Sequence, residues 1–150
     1  MSIPRHIKEY LDSTHVPYRH LIHYPAYTAQ ETAEVQHVSG KQMAKTVMVI
    51  ADGRLVMAVL PATHRLDIHA LKRCLGANKV RLAEEREFAK AFPGCEVGAM
   101  PPLGNLYHMT VWVDRSLYAH PAIVFNAGSH VDTIEMSCSD FESLVEPHWG

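Results

Sequence analysis

Apolar residues follow two rhythms along the chain. Behind Pro4, the positions Ile7, Tyr10 and Leu11 fall on one face of a helix over roughly residues 4–13. Residues 15–24 read as a turn followed by a short strand. Thr28, with Glu31 three residues on, has the form of a capping box and opens a helix that runs to about His37 and ends near Gly40. The pattern then changes to near-continuous apolar, β-branched runs, which predict strands at about 43–50 and 54–60. Ala51-Asp52-Gly53 between them carries the Asp-Gly hairpin signal, and Pro61 stops the second strand. Residues 67–75 read as a helix stopped by Gly76, residues 79–82 as a short strand, and 83 to about 91 as a helix with an acidic start. A Gly/Pro loop at 98–104 precedes strands at about 107–113, 122–126 and 132–136, and a last helix runs from Ser139 to about Val145. Helices that interrupt a largely hairpin-connected sheet predict an α+β fold, not a doubly wound parallel sheet.

At 150 residues, the length predicts a single domain, 1–150. The 47% apolar and 20% charged composition is that of a soluble globular protein. Charges interrupt every long apolar stretch, which excludes a transmembrane helix, and the first residues lack the apolar core of a signal peptide. Cys74, Cys95 and Cys138 form no C-x-x-C pair and read as reduced thiols of a cytoplasmic protein. The net charge of −2 conceals an asymmetry: residues 41–90 carry ten Lys/Arg against five Asp/Glu, while residues 91–150 carry one Arg against seven acids. A cationic middle segment suits a phosphate-facing surface, whereas the pI of 6.6 argues against a protein that coats duplex DNA.

Three segments carry candidate chemistry. Lys45 is a long cation at the start of an apolar strand, in Gly40-Lys41-Gln42-Met43-Ala44-Lys45-Thr46-Val47. Its stem can pack on the sheet while the ammonium reaches a carbonyl, hydroxyl or phosphate at the sheet end; the plainer reading is a solvated strand flank, and Lys41 reads as a surface charge. Gly98-Ala99-Met100-Pro101-Pro102-Leu103-Gly104 is either a stiff connection or a rigid pocket wall that offers backbone groups at fixed positions. Asn126-Ala127-Gly128-Ser129-His130 follows an apolar strand and can place Ser129 and His130 in a cleft. Adjacent Ser and His need not face each other, and G-x-S-x-G is absent, so a covalent serine mechanism is disfavoured. The eleven histidines are scattered without H-E-x-x-H or H-x-H; His20 and His23, three apart on a strand, lie on opposite faces. No metal site is expected, and no Walker or dinucleotide glycine pattern implies a cofactor.

Taken together, these segments resemble one family. Ala44-Lys45-Thr46, the Asp-Gly hairpin, Leu60-Pro61-Ala62, Leu66-Asp67, Leu75-Gly76-Ala77, Val80-Arg81-Leu82-Ala83, Gly98-x-x-x-Pro102-x-Gly104, Val113-Asp114, Ala127-Gly128-Ser129 and Asp140-Phe141 occur in one order. From about Tyr24 to Val145 the chain is similar to the YbaK/prolyl-tRNA-synthetase-associated editing-domain family. The resemblance implies a mixed, partly closed sheet with surrounding helices. It also implies deacylation of mischarged aminoacyl-tRNA in the cytoplasm, on a small amino acid such as Ala, Ser, Cys or Thr, without cofactor or metal. By position, Lys45 matches the lysine that engages the aminoacyl-adenosine end, and Gly98 and Pro102 match the G-x-x-x-P loop beside the scissile carbonyl. Gly128, Ser129 and His130 match the loop lining the amino-acid pocket. Thr46, Met100 and Asn126 join the expected substrate-binding set. His130 resembles the alanine-editing type, whereas Met43-Ala44-Lys45-Thr46 is closer to the general YbaK form. The implied partners are the 3′ acceptor end of aminoacyl-tRNA and a synthetase, with neither DNA nor membrane. The competing readings are a module that binds a tRNA 3′ end or a protein without turnover, and a structural or regulatory domain in which Lys45 is only a flank.

Overall fold

The computed structural model describes residues 3–22 and 42–149. In chain order these form α1 (Arg5–Thr14), β1 (Arg19–Ile22), β2 (Ala44–Ala51), β3 (Arg54–Pro61), α2 (Ile68–Leu75), β4 (Val80–Leu82), α3 (Glu85–Phe88), β5 (Thr110–Val113), β6 (Ala122–Asn126), β7 (Asp132–Ser137), α4 (Cys138–Val145) and β8 (His148–Trp149). Short 3₁₀ turns occupy Ala89–Ala91, Gly104–Tyr107 and Arg115–Ala119. The helix expected from Thr28 to His37, together with His23 and Lys41, lies outside the described residues.

Local chemistry accounts for most element boundaries. Asp52 at φ 49° and Gly53 at φ 82° turn the β2–β3 hairpin, where two left-handed residues match the twist of the strands they join. The Asp67 carboxylate accepts from the Ala70 amide to cap α2, and Gly76 ends it at φ 63°. The helix expected over 83–91 is one α-helical turn, held by a capping box between Glu84 and Glu87, that tightens into a 3₁₀ turn. The strand expected from 107 starts only at Thr110, because residues 104–107 wind into a 3₁₀ turn that His108 closes at φ 58°. The short β8 has no counterpart in the sequence pattern: two residues give no periodicity to read.

The α+β class and the mixed sheet hold. Strands run in the order β4-β2-β3-β5-β8 in one sheet and β1-β7-β6 in the other. The β3–β5 and β5–β8 pairs are parallel and the remaining pairs antiparallel. Among the described residues, closure between the sheets amounts to one parallel bridge, Met43 with Val124. β2 therefore has β3 along one edge, and on the other edge the bridge to β6 at Met43 and then β4 from Val49 to Ala51. Among the described strands none covers that second edge between these two points.

Both faces of β2 and β3 are buried, which explains why their sequences read as continuous apolar runs. Ala44, Met48, Met57 and Val59 join Val111, Val113, Ile123, Phe125, Ile134 and Phe141 in the main core, closed by Ile7 and Leu11 of α1. The opposite face packs Val49, Ala51, Val56, Ala58 and Trp112 under Leu71 of α2.

Gly128 combines a left-handed backbone with a close approach to a neighbour. At φ +95° it is strained for any L side chain, and a Cβ there would stand 2.6 Å from Pro4 Cδ. Gly128→Ala is expected to destabilise the protein by roughly 2–4 kcal/mol through strain and overpacking. A change below about 0.5 kcal/mol in the denaturation free energy would contradict this account of the loop.

Candidate functional site

Strand alternation sets the face on which Lys45 acts. Its neighbours Val47, Val49 and Ala51 face α2, so Lys45 shares their side of the sheet, opposite Leu60 of β3 in register. Thr46 falls on the other face, between Ala44 and Met48 of the main core. Met43 and Val124 pack with Ala62 in a small cluster on the Lys45 side. Because β2 and β6 run parallel through their bridge, Lys45 and Asn126, each two residues further on, take corresponding positions on one face.

Two polar groups on this face, the Lys45 ammonium and the Asn126 side-chain carbonyl, have no partner among the described residues. No carboxylate of those residues lies within ion-pair distance of the Lys45 ammonium. Its pKa is lowered first by partial burial and then by the charge of Arg65, which follows the turn after β3. Asn126 is only 7% exposed, and none of the described residues donates a hydrogen bond to its side-chain carbonyl. Leaving such an acceptor buried costs about 1–3 kcal/mol.

Beyond Asn126, the 126–130 loop is tied to the Gly98 loop by a set of hydrogen bonds. The Gly128 amide donates to Ala99 O at 2.8 Å, and the Glu96 amide donates to Gly128 O at 2.8 Å. The His130 amide donates to the Glu96 carboxylate at 2.9 Å, and His130 Nε2 donates to Val97 O at 3.0 Å. Since a carbonyl can only accept, that contact fixes the proton on Nε2. Gly98, at φ +87°, lies against the imidazole: a Cβ there would be 3.4 Å from His130 Cε1. Its own amide meets the Met100 thioether, at 3.3 Å, a weak acceptor that leaves a usable donor.

Of the sequence candidates, Lys45, Asn126, Gly128, His130, Gly98 and Met100 therefore fall in one connected neighbourhood. Pro102 is buried in the wall of the same loop. Ser129 is placed differently from the cleft position expected for it. It is fully buried, its hydroxyl donates to the Asp132 carboxylate, and it accepts the amides of Val131 and Asp132 at 3.2 and 3.1 Å. The other oxygen of Asp132 accepts from His20 Nε2 at 2.7 Å, so Ser129 holds the loop shape and ties it to β1. Three supporting residues go beyond the sequence candidates. Asp132, three residues after Ser129, carries a readable local signal. Glu96 and Arg65 carry none, because each acts across the fold. Among the described residues, no group of His, Cys, Asp or Glu is arranged to hold a metal ion, and no helix is long and apolar enough to cross a membrane.

Comparison with known proteins gives the chain's family. The sequence model of the aminoacyl-tRNA editing domain matches residues 23–144, and the chain belongs to that family. It is 30% identical over 105 residues to the proline–tRNA ligase of Leuconostoc citreum (strain KM20), covering 70% of this chain and 18% of that enzyme. It is 33% identical over 92 residues to the proline–tRNA ligase of Nitratidesulfovibrio vulgaris (strain DP4), covering 61% of this chain and 16% of the ligase. The chain thus spans less than a fifth of these relatives. Among solved structures, the hypothetical protein APE2540 superposes with a TM-score of 0.86 at 26% identity, covering 97% of both chains. A candidate trans-editing enzyme for prolyl-tRNA synthetase shares the fold, with a TM-score of 0.80 at 19% identity over 99% of this chain and 97% of that one.

Two outcomes are expected. Ser129→Ala removes a donor to the buried Asp132 carboxylate and should cost roughly 1–3 kcal/mol in denaturation without abolishing turnover; loss of all activity in a fully folded variant would contradict the structural role. By NMR titration, the Lys45 ammonium should lose its proton at lower pH than an ordinary lysine, and Arg65→Gln should move the midpoint back up. A midpoint at or above the ordinary value would overturn the electrostatic description.

Proposed function

We propose that this chain, acting as a single editing domain, hydrolyses the ester of mischarged aminoacyl-tRNA. The observation that carries this reading is the Lys45 ammonium at the break in the β2 edge, without a counter-ion among the described residues and beside the unsatisfied Asn126 carbonyl. A 3′ aminoacyl-adenosine supplies what both groups lack. Its phosphate is the anion for Lys45, and its ribose hydroxyl or α-ammonium is the donor for Asn126. The aminoacyl ester is already reactive, so placement counts for more than a strong general base. A water adds to the ester carbonyl, assisted by the neighbouring ribose hydroxyl or a backbone carbonyl. The Gly98 amide donates to the oxyanion that develops. Collapse breaks the bond to the ribose oxygen, which takes up a proton, and leaves free amino acid and tRNA. No protein nucleophile is required, in keeping with a Ser129 hydroxyl committed to Asp132.

The wall of Met100, Pro102 and His130 would select a small amino acid such as Ala, Ser, Cys or Thr by excluding larger ones. Its rigidity supports that role, because a single methylene is worth only about 1–3 kcal/mol to a hydrophobic pocket. His130 is pinned through both its amide and its ring, which gives the wall a fixed width. Similarity to proline–tRNA ligases makes tRNA for proline the first acceptor to examine and a synthetase the natural partner, in the cytoplasm with the translation machinery.

The test is deacylation of Ala-, Ser-, Cys- and Thr-charged tRNAs, on proline and other acceptors, by wild type and Lys45→Met. One or two members should be hydrolysed, and Lys45→Met should lower the rate at least a hundredfold while the melting temperature stays within a few degrees. Undiminished hydrolysis by Lys45→Met would remove the lysine from the mechanism. Absence of turnover across the panel with tRNA still bound would replace catalysis by capture of the 3′ end.

A further inference from the structure

Several cations of residues 54–79 lie along one side of the five-stranded sheet. β3 ends beside Lys45, since Leu60 is its partner in the ladder, and the chain turns through a hydrogen bond from the His64 amide to Pro61 O. Arg65 follows, close enough to depress the Lys45 pKa, and α2 then packs its Leu71 on the same sheet face that carries Lys45. The helix ends at Gly76, and the chain reaches the far end of the sheet, where the Asp52 carboxylate accepts the amides of Asn78 and Lys79. α2 therefore runs from the Lys45 end to the hairpin end. It carries Lys72 and Arg73 on its exposed side, with Lys79 and Arg54 beside the hairpin turn.

Pairing separates these cations from others. Arg5, Lys8, Arg19, Arg81 and Arg86 each have a carboxylate within 4 Å. Among the described residues, none lies within that distance of Arg65, Lys72, Arg73, Lys79 or Arg54; Lys90 and Arg115, elsewhere on the surface, are likewise without one. The acids along the same path are committed to backbone amides: Asp67 caps α2, and Asp52 binds the 78–79 turn. The result is a line of exposed positive charge, unpaired within the described structure, that starts at the candidate site. From Lys45 to Asp52 is seven residues of strand, about 23 Å, or roughly seven phosphates of a stacked strand.

We propose that this line, Arg65–Lys72–Arg73–Lys79 with Arg54, is the binding track for the phosphate backbone of the tRNA acceptor arm, laid along α2 with the 3′ end at Lys45. The proposal rests on the deacylase reading for its direction, though not for its charge. A ribose-phosphate strand is the occupant because the cations spread from Arg65 beside Lys45 to Lys72 and Lys79, which both act on the Asp52 carboxylate at the other end of β2, further apart than a single small anion can span. A net charge of −2 is no obstacle, since residues 41–90 carry ten Lys/Arg against five acids while residues 91–150 carry one Arg against seven.

The test compares two substrates in wild type and in the triple variant Lys72→Gln/Arg73→Gln/Lys79→Gln, with circular dichroism as the check on folding. The substrates are a full-length mischarged tRNA for proline and a short aminoacylated CCA oligonucleotide that reaches only Lys45. The variant's loss in kcat/KM on full-length tRNA should exceed its loss on the oligonucleotide at least tenfold, and should appear in KM. The salt dependence of binding to unfractionated deacylated tRNA should flatten by about 2 in log–log slope, three phosphate contacts having gone. Equal losses on both substrates, or an unaltered salt slope, would overturn the track. If wild type hydrolyses neither substrate but binds deacylated tRNA through these three residues, the deacylase reading fails and the track stands. If turnover of both substrates is indifferent to the three residues, the track fails and the deacylase reading stands.

Discussion

Among the described residues, the backbone link between the two sheets is one bridge, Met43 with Val124, and the candidate site depends on it. The bridge is parallel, so β2 and β6 leave it side by side and carry Lys45 and Asn126 forward on a common face. Between β6 and β4, no described strand pairs with the β2 edge. A charged or polar side chain in the middle of a sheet buried on both faces would be costly. At this break Lys45 is partly buried, with its pKa lowered by desolvation, and keeps part of its surface exposed.

The second constraint is the interlock of residues 96–100 with 126–130. Each loop supplies the other's hydrogen-bond partners: Gly128 with Ala99, Glu96 with Gly128, and His130 with both Glu96 and Val97. Below them, the buried Asp132 collects Ser129 and His20 and fixes the loop to the three-stranded sheet. Gly98 and Gly128 are required because both stand at positive φ in close contact with a neighbour, the His130 ring and Pro4 respectively. A wall built in this way is rigid, which is what the proposed discrimination between small side chains would ask of it.

The electrostatics divide the molecule in the same direction. Cations of α1, β1 and the 81–87 segment have carboxylates within 4 Å, while among the described residues those from Arg65 to Lys79 have none that close, Asp52 acting on Lys72 and Lys79 only at longer range. Exposed ion pairs add little stability, so leaving a run of cations unpaired costs the fold little. On the proposed reading that run gives a polyanion a preferred approach and ends at the partly buried Lys45, where low solvation would strengthen an interaction with a phosphate.

The sequence by itself determined the elements whose signals are local. These include the Asp-Gly hairpin, the Asp67 cap and Gly76 stop of α2, the doubly buried strands β2 and β3, and the three segments of candidate chemistry. The same local signals carried the resemblance to the editing-domain family. Periodicity could not show that residues 104–107 wind into a 3₁₀ turn or that 148–149 pair beside β5, because both depend on few residues and distant partners. Nor could it tell that Ser129 is consumed by Asp132, that Glu96 fastens His130, or that Arg65 stands near Lys45. Only the tertiary structure decided those, since each is a contact between groups whose separation is set by how the two sheets and α2 pack, and sequence spacing carries no such distance.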